Sequence, residues 1–535
     1  METASSGIDP SYEGSPVRLP AVIVLVLVIA WALIDVWRSY PQEFFPRFWD
    51  EAIYMVDVTT PGVLAGRFTG DMHYAAAKPG YGWSLAGAVA LLGDRGAMYL
   101  STLWWLLTIG VIGLAVLRRF GGIAGLIAAA LLAYSPLFGK YVAEAGPTTM
   151  AACFFSLLWI SYDRRRWLAA GLAIGCLALI DFKWIPPVVV AVVLIEVLLE
   201  HNRPWRHRVA FAGRVALVAA SIPALLILVH RPFGDYLWSY LFVHGQIMGL
   251  HVSPVLLYFL LRFGMGLAIV AAAVSLLLAP VRERLGNLGE SRVRSLLVAL
   301  VLAIVPIAFY SVFGPLKALR FFAVPFPLVA IPVAVVISRA FAWSRERLRS
   351  SRPVARWTMA SVLAAMLSIP ILVASDGPAR HLRIPTCYPQ ALTRLAEIAP
   401  EGGVISSYIW PVPFYGRRGT LKSYPFTFWG VKPGVKWLAS DRVLDVVTVE
   451  NRQHLGSAAS ASPESFLAGQ RGSFLPYLDS LLSVPSDFYA SDYFLAEQVV
   501  GGIGTMRRWE ALSRDRQNVL TIYRINPGLW QQPGQ

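Results

Sequence analysis

Six ionisable residues stand in the loop after the first long apolar run or at the edges of later ones, and a charge at the edge of hydrocarbon is most often there for a reason. Asp50 and Glu51 open the segment Asp50-Glu51-Ala52-Ile53-Tyr54 in the loop after the first apolar run. Lys78 lies in His73-Tyr74-Ala75-Ala76-Ala77-Lys78-Pro79-Gly80-Tyr81, and Glu144 in Glu144-Ala145-Gly146-Pro147 at the head of another run. Lys183 falls in the short connection Asp181-Phe182-Lys183-Trp184, and Arg320 in Lys317-Ala318-Leu319-Arg320-Phe321. A positioned carboxylate can take the proton of an attacking hydroxyl or amine. Lys and Arg can stabilise charge that develops on a leaving phosphate, Arg as a bidentate fork and Lys as a point charge. Each residue also has a plainer reading. Asp50 and Glu144 could cap helices, since a carboxylate accepts backbone N–H bonds and suits the positive end of the helix dipole. Lysines and arginines at this depth could simply snorkel to the water.

The elements that must position these residues are membrane spans. Of 535 residues 56% are apolar and only 15% charged, against about 25% charged in a soluble domain. Apolar runs at 19–37, 97–117, 120–138, 147–162, 167–182, 185–200, 209–230, 254–280, 295–313, 321–338 and 357–375 predict about eleven spans of a hydrocarbon core roughly 30 Å thick. The run at 185–200 is short and opens with Pro186-Pro187. No small-residue cleavage site follows the first run, which reads as an anchor rather than a removed signal. Gly121-x-x-x-Gly125 and Gly171-x-x-x-Gly175 suggest close helix packing.

Lys plus Arg exceed Asp plus Glu by 47 − 32 = 15, and the placement of the excess gives the orientation. One set of connections holds Arg118, Arg119, Arg164, Arg165, Arg166, Arg203, Arg206, Arg208, Arg214, Arg282, Arg284, Arg292 and Arg294, then the arginines from 339 to 356. The alternate short connections hold only Lys140, Lys183, Arg231, Lys317 and Arg320. The positive-inside rule puts the first set and the N-terminus in the cytoplasm, with the arginines as topology anchors. All six residues of the opening paragraph then fall on the outer side, an assignment that used no motif.

Three larger pieces also face outward: a first loop at 38–96, a loop near 231–253, and a C-terminal domain at 376–535 beyond a transmembrane domain at 1–375. The C-terminal part lacks long apolar runs and reads as a small α/β domain, with a helix-like stretch at 389–398 and strand-like stretches at 404–409, 443–449 and 519–523. Its aromatics, among them Tyr408, Trp410 and Phe414, suit a core better than a binding surface. Cys153, Cys176 and Cys387 are too few and too scattered for a disulfide framework or a metal site. No P-loop, His-Glu-x-x-His helix, Gly-x-Ser-x-Gly elbow or Asp-x-Asp pair occurs, which argues against an ATP-driven pump or a metal-dependent nucleotide-sugar enzyme.

At these residues the chain resembles the GT-C superfamily of integral-membrane glycosyltransferases, in the branch of protein O-mannosyltransferases and bacterial lipid A aminoarabinose transferases. That branch has an Asp-Glu pair in its first outer loop, as in Asp50-Glu51, and a Lys-Pro-Pro element, matched by Lys78-Pro79 with Gly80 in third place. It has a Gly-Leu-rich span ending in lysine, similar to Gly171-Leu172 through Lys183. It has a late Arg-Tyr followed by prolines, matched by Arg320-Phe321, Pro325 and Pro327 with Phe for Tyr. The resemblance implies a polytopic α-helical GT-C fold with outer juxtamembrane helices. It implies transfer of a sugar from a polyprenyl-phosphate donor to a hydroxyl or amine of a lipid, glycan or protein on the outer face, in a bacterial inner membrane. By the same resemblance Asp50 is the general base, with Glu51 orienting the loop or the acceptor, and Lys78, Lys183 and Arg320 bind the donor phosphate. Glu144, His73 and Tyr54 would shape the substrate pocket. Direct displacement at the anomeric carbon would invert its configuration. No cofactor is called for, although Asp50 and Glu51 could recruit a divalent metal.

Two other classes remain. A transporter would carry ionisable residues at mid-bilayer, whereas here Glu196 and Arg262 lie only a turn or two from predicted span ends. An O-antigen ligase or polymerase would share outer arginines but not the Asp-Glu pair, so substitution of Asp50 separates it from a GT-C transferase.

Overall fold

A computed structural model describes residues 19–40, 44, 49–65, 67, 74–247, 250, 290–313, 317–318 and 320–350, isolated positions 394 and 397, and strands between 403 and 525. Helices dominate up to residue 350. They are α1 (Leu19–Ser39), α2 (Trp49–Thr59), α3 (Tyr74–Ala77), α4 (Pro79–Leu92), α5 (Arg95–Phe120), α6 (Gly122–Ala133), α7 (Pro136–Gly139) and α8 (Thr148–Asp163). Next come α9 (Trp167–Asp181), a 3-10 turn (Phe182–Trp184), α10 (Ile185–Leu194), a π-helical turn (Ile195–Leu199), α11 (Trp205–Val229) and α12 (Arg231–Ile247). Last are α13 (Glu290–Val312), α14 (Arg320–Ala323) and α15 (Phe326–Ser350).

Among the described residues, five stretches are long and apolar enough to cross a membrane: Leu19–Ser39, Arg95–Phe120, Trp167–Leu199, Trp205–Val229 and Glu290–Val312. Gly122–Ala133 and Phe326–Arg339 are shorter apolar helices. The chain is a multi-pass membrane protein. The predicted runs at 254–280 and 357–375 lie outside the described residues, as does Arg262. The run predicted at 120–138 forms only the twelve residues of α6, because Ser135 caps a separate short helix through its hydroxyl and Pro136 follows.

Trp167–Leu199 is a hairpin rather than one long span. Arg165, before α9, pairs with Glu196, and Tyr162 of α8 donates its hydroxyl to the same carboxylate. The two ends of the stretch are therefore at one level, and the chain reverses at Asp181–Trp184. Pro186 and Pro187 fall in the first turn of α10, where a missing N–H is no loss.

The buried centre is α8, whose Phe155, Trp159 and Tyr162 are wholly enclosed among α5, α9, α13 and α15. By contrast α1 and α11 expose apolar side chains such as Trp31, Leu217 and Leu228, as expected of helices that face lipid. Helix α9 packs on α11 through Gly171 and Gly175, where an added Cβ would lie 2.6 Å from Val218 Cβ and 2.5 Å from Ile222 Cδ1. The expectation for Gly121 is corrected. With φ of 110° and open space beside it, it makes the turn between α5 and α6 and packs against nothing.

The arginine-rich end is more than a set of anchors. Asp163, Glu196 and Glu200 are buried there, and each meets arginines from other segments. Asp163 lies 3.8 Å from Arg119 and 3.9 Å from Arg294. Glu200 pairs with Arg294 and, at 2.8 Å, with Arg203. Arg208 donates to the Glu196 carbonyl. Removing one partner of such a buried pair typically costs about 3–5 kcal/mol, because the other charge is left uncompensated.

The C-terminal part contributes a mixed five-stranded sheet of β2 (Gly403–Ser406), β3 (Lys422–Ser423), β4 (Val435–Asp441), β5 (Leu478–Pro485) and β7 (Val519–Ile525), in the order β3-β2-β4-β7-β5. Strands β2, β3 and β4 are parallel, and β7 runs antiparallel to β4 and β5. The strand-like stretches at 404–409 and 519–523 overlap β2 and β7. That at 443–449 lies outside the described residues, as does most of the expected helix at 389–398. A separate two-stranded pairing joins β1 (Lys317–Ala318) to β6 (Gln498–Val499), which brings the C-terminal part against the connection that ends at Arg320.

Candidate active site

The site is assembled at the end of the bundle opposite the arginines. Asp50 and Glu51 are the second and third residues of α2. Asp50 is thus in the first turn rather than at a cap. Glu51 is fully buried and its Oε1 accepts the backbone N–H of Ala145 at 3.1 Å, which ties α2 to the segment before α8. Glu144, beside that amide, is also buried and its carbonyl accepts the Ser101 hydroxyl. It does not cap α8, whose first residue is Thr148 and whose N-cap position is Pro147. Farther along α2, buried Asp57 accepts the N–H of Ala75 through Oδ2 at 2.9 Å, which fixes the start of α3 and the approach to Lys78.

Lys78 occupies the N-cap position of α4, and Pro79 begins the helix immediately after it. Its ammonium is almost fully buried, donates to the Tyr54 hydroxyl, and lies 5.2 Å from the Tyr54 ring centre and 5.6 Å from that of Tyr74. Rings at this distance attract a cation through their quadrupoles. The position of Gly80 now has a cause. An added Cβ would sit 3.1 Å from Leu179 Cβ and 3.2 Å from the Leu179 carbonyl carbon, so α4 meets the last turn of α9 closely. That approach carries Lys78 to within 3.7 Å of Asp181.

Asp181 is the last residue of α9 and is 1% exposed. Its Oδ2 lies 2.8 Å from Lys183 Nζ. Arg320, which opens α14, is a third cation, close enough for its charge to act on this carboxylate. Lys183 also lies 5.1 Å from the Phe321 ring centre and 5.9 Å from that of Trp184. Phe321 stacks on Tyr310, centre to centre 4.3 Å, and Tyr310 donates its hydroxyl to the Lys183 carbonyl. A phenyl ring at 321 therefore supplies a face for the lysine where the resembling family has a phenol.

The structure thus brings together Tyr54, Lys78, Lys183 and Arg320, from three separate connections, and places Glu51 beside Glu144. The side chain of Asp50 and the whole of His73 lie outside the described residues. Asp181, Asp57, Tyr81 and Tyr310 were not singled out from sequence. Only Asp181 carried a signal, two residues before a lysine at a span end. Tyr81, one turn into α4, packs edge-on against Tyr54 at 5.2 Å, and its buried hydroxyl has no hydrogen-bond partner among the described residues. Burial, and then the negative charges of Glu144 and Glu51, hold this phenol well above its ordinary range, so it stays protonated and able to donate. No group of three or more His, Cys, Asp or Glu that could hold a metal occurs among the described residues.

Comparison with solved structures identifies the fold. Over 94% of this chain and 98% of its own length, ArnT from Cupriavidus metallidurans in the apo state superposes with a TM-score of 0.55 at 16% identity. The chain has the GT-C fold. The same protein bound to undecaprenyl phosphate matches this chain with a TM-score of 0.54 at 15% identity. The archaeal oligosaccharyltransferase AglB from Archaeoglobus fulgidus, in complex with an inhibitory peptide and a dolichol-phosphate, covers 87% of it and 73% of its own length, with a TM-score of 0.50 at 14% identity. By sequence, a family model described as dolichyl-phosphate-mannose-protein mannosyltransferase matches residues 76–227, a stretch that includes Lys78, Glu144, Asp181 and Lys183. No curated protein matches the chain closely enough in sequence to count as a relative.

Proposed function

We propose that the protein transfers a sugar from a polyprenyl-phosphate donor to an acceptor hydroxyl or amine at the outer face of a bacterial inner membrane. The observation that carries the reading is the convergence of Lys78, Lys183 and Arg320 around buried Asp181 in a GT-C fold. Three cations around one carboxylate leave a local excess of two positive charges, suited to an anionic headgroup whose lipid tail stays in the bilayer. The bound lipid phosphates of two structural neighbours support the same ligand chemistry. The transmembrane domain would be residues 1–375 and the outer domain 376–535.

In this mechanism the lipid phosphate is the leaving group. Negative charge grows on it as the bond to the anomeric carbon breaks, and preorganised Lys78, Lys183 and Arg320 stabilise that charge most in the transition state. The surrounding Tyr54, Tyr74, Trp184 and Phe321 exclude water and lower the effective dielectric, which strengthens each interaction. Asp50 takes the proton of the acceptor as it attacks, typically worth about 10²–10⁴-fold. Glu51, held by the Ala145 amide, fixes the start of α2 and so the placement of its neighbour. Attack opposite the leaving phosphate inverts the configuration. Tyr81 offers a hydroxyl donor to the sugar or the acceptor.

The test is mass spectrometry of envelope lipids, glycans and glycoproteins from three strains: a deletion, its wild-type complement and an Asp50→Asn complement at equal expression. The reading expects a sugar-sized mass that only wild type restores, which also identifies the acceptor. Full restoration by Asp50→Asn would overturn the general-base role and favour a ligase or carrier.

A further inference from the structure

Asp181 takes no part in bond making or breaking as proposed above, yet it sits among the cations that do. Its Oδ2 is paired with Lys183 at 2.8 Å, and its Oδ1 is 3.7 Å from Lys78 and accepts no hydrogen bond among the described residues. A buried carboxylate with one oxygen short of a hydrogen bond is a poor structural clamp, since an unmet acceptor in a low-dielectric site is costly. It is, however, a good competitor. An incoming phosphate would take over the two lysines and find a fixed negative charge beside it.

We propose that Asp181 is a built-in counter-ion that selects against doubly charged phosphate and so drives release of the lipid-phosphate product. The proposal rests on the donor reading given above. A sugar-phosphate-lipid diester carries one negative charge, whereas the lipid phosphate left after transfer is a monoester carrying about −1.5 to −2 at neutral pH. Cations alone would hold the monoester more tightly than the diester, and the enzyme would be inhibited by its own product. The repulsion from Asp181 grows with the charge of the ligand and offsets this preference. In the empty site the same carboxylate keeps Lys78 and Lys183 from repelling each other, so the site is preorganised before donor arrives. Its position at the end of α9, held by the close approach at Gly80, makes the counter-ion as rigid as the helices that carry the lysines.

The experiment is a native mass-spectrometric titration of the full-length detergent-solubilised protein with undecaprenyl phosphate and with its methyl phosphodiester, for wild type and Asp181→Asn. Wild type is expected to bind the two within about threefold of each other. In Asp181→Asn the monoester should gain about tenfold over the diester, with stronger product inhibition and a lower kcat. A wild-type protein that already prefers the monoester by about tenfold overturns the proposal without any variant. So does an Asp181→Asn protein whose preference equals that of wild type, or one that loses both ligands alike as a purely structural residue would. If wild type binds neither ligand, the donor reading itself fails, and the proposal with it.

Discussion

Lys78→Met is the substitution whose cost can be worked from the geometry. Methionine keeps an unbranched apolar stem between the Tyr54 and Tyr74 rings and removes the charge together with the hydrogen bond to the Tyr54 hydroxyl. Asp181 is not orphaned, because Lys183 stays at 2.8 Å. A unit charge about 4 Å from a phosphate at an effective dielectric of about 20 is worth about 4 kcal/mol. Part of this is recovered, since Lys183 and Arg320 remain and the variant no longer has to bury an ammonium. A net loss of about 2–3 kcal/mol is left, or roughly 30- to 150-fold in kcat/KM for the donor. The assay is donor titration at saturating acceptor with purified protein in nanodiscs, alongside thermal unfolding of the same samples. The acceptor KM should not move, and the midpoint of unfolding should stay close to that of wild type. A donor kcat/KM within threefold of wild type, in a variant that melts like wild type, would refute the assignment of Lys78 to the phosphate.

Other substitutions separate positioning from chemistry. Glu51→Gln keeps an oxygen for the Ala145 amide and should change stability little. Glu51→Ala leaves that buried N–H unmet and should cost about 1–3 kcal/mol, read as a lower midpoint in detergent. Gly80→Ala pushes a Cβ against the backbone of α9 at 3.2 Å and should lower activity more than stability, since it displaces Lys78 from Asp181; an equal fall in both would point to overpacking alone. At the arginine-rich end, Glu196→Leu strands Arg165 and should destabilise the protein by about 3–5 kcal/mol, while the folded fraction keeps its kcat for transfer at the far end of the bundle.

Several apolar helices, and a common end of the bundle for Lys78, Lys183 and Arg320, were legible because hydrophobic runs and arginine placement order the chain before any contact is known. Sidedness alone put these three residues in one layer. It could not say that α4 and α9 touch, because the contact depends on the absence of a side chain at Gly80. Nor did it mark Asp181, since an aspartate two residues from a lysine reads as a local pair. The Phe for Tyr change at position 321 looked like a lost hydroxyl. In the structure the ring faces Lys183 and stacks on Tyr310, a role that sequence spacing does not reveal across residues so far apart. Arginines 119, 165, 203 and 294 were read as anchors and Glu196 as a charge near a span end, while the buried carboxylates Asp163 and Glu200 went unassigned. A carboxylate in a basic connection carries no sign in sequence of whether it is solvated or enclosed.

In the proposed complex a lipid phosphate sits among Lys78, Lys183 and Arg320. Photo-crosslinking with an undecaprenyl phosphate bearing a photoreactive group next to the phosphate, followed by peptide mapping, tests it without knowledge of the sugar or the acceptor. Adducts are expected on the peptides that carry Lys78, Lys183 and Arg320, reduced by excess unlabelled undecaprenyl phosphate. Adducts confined to the arginine-rich end, or labelling that excess ligand does not reduce, would contradict it.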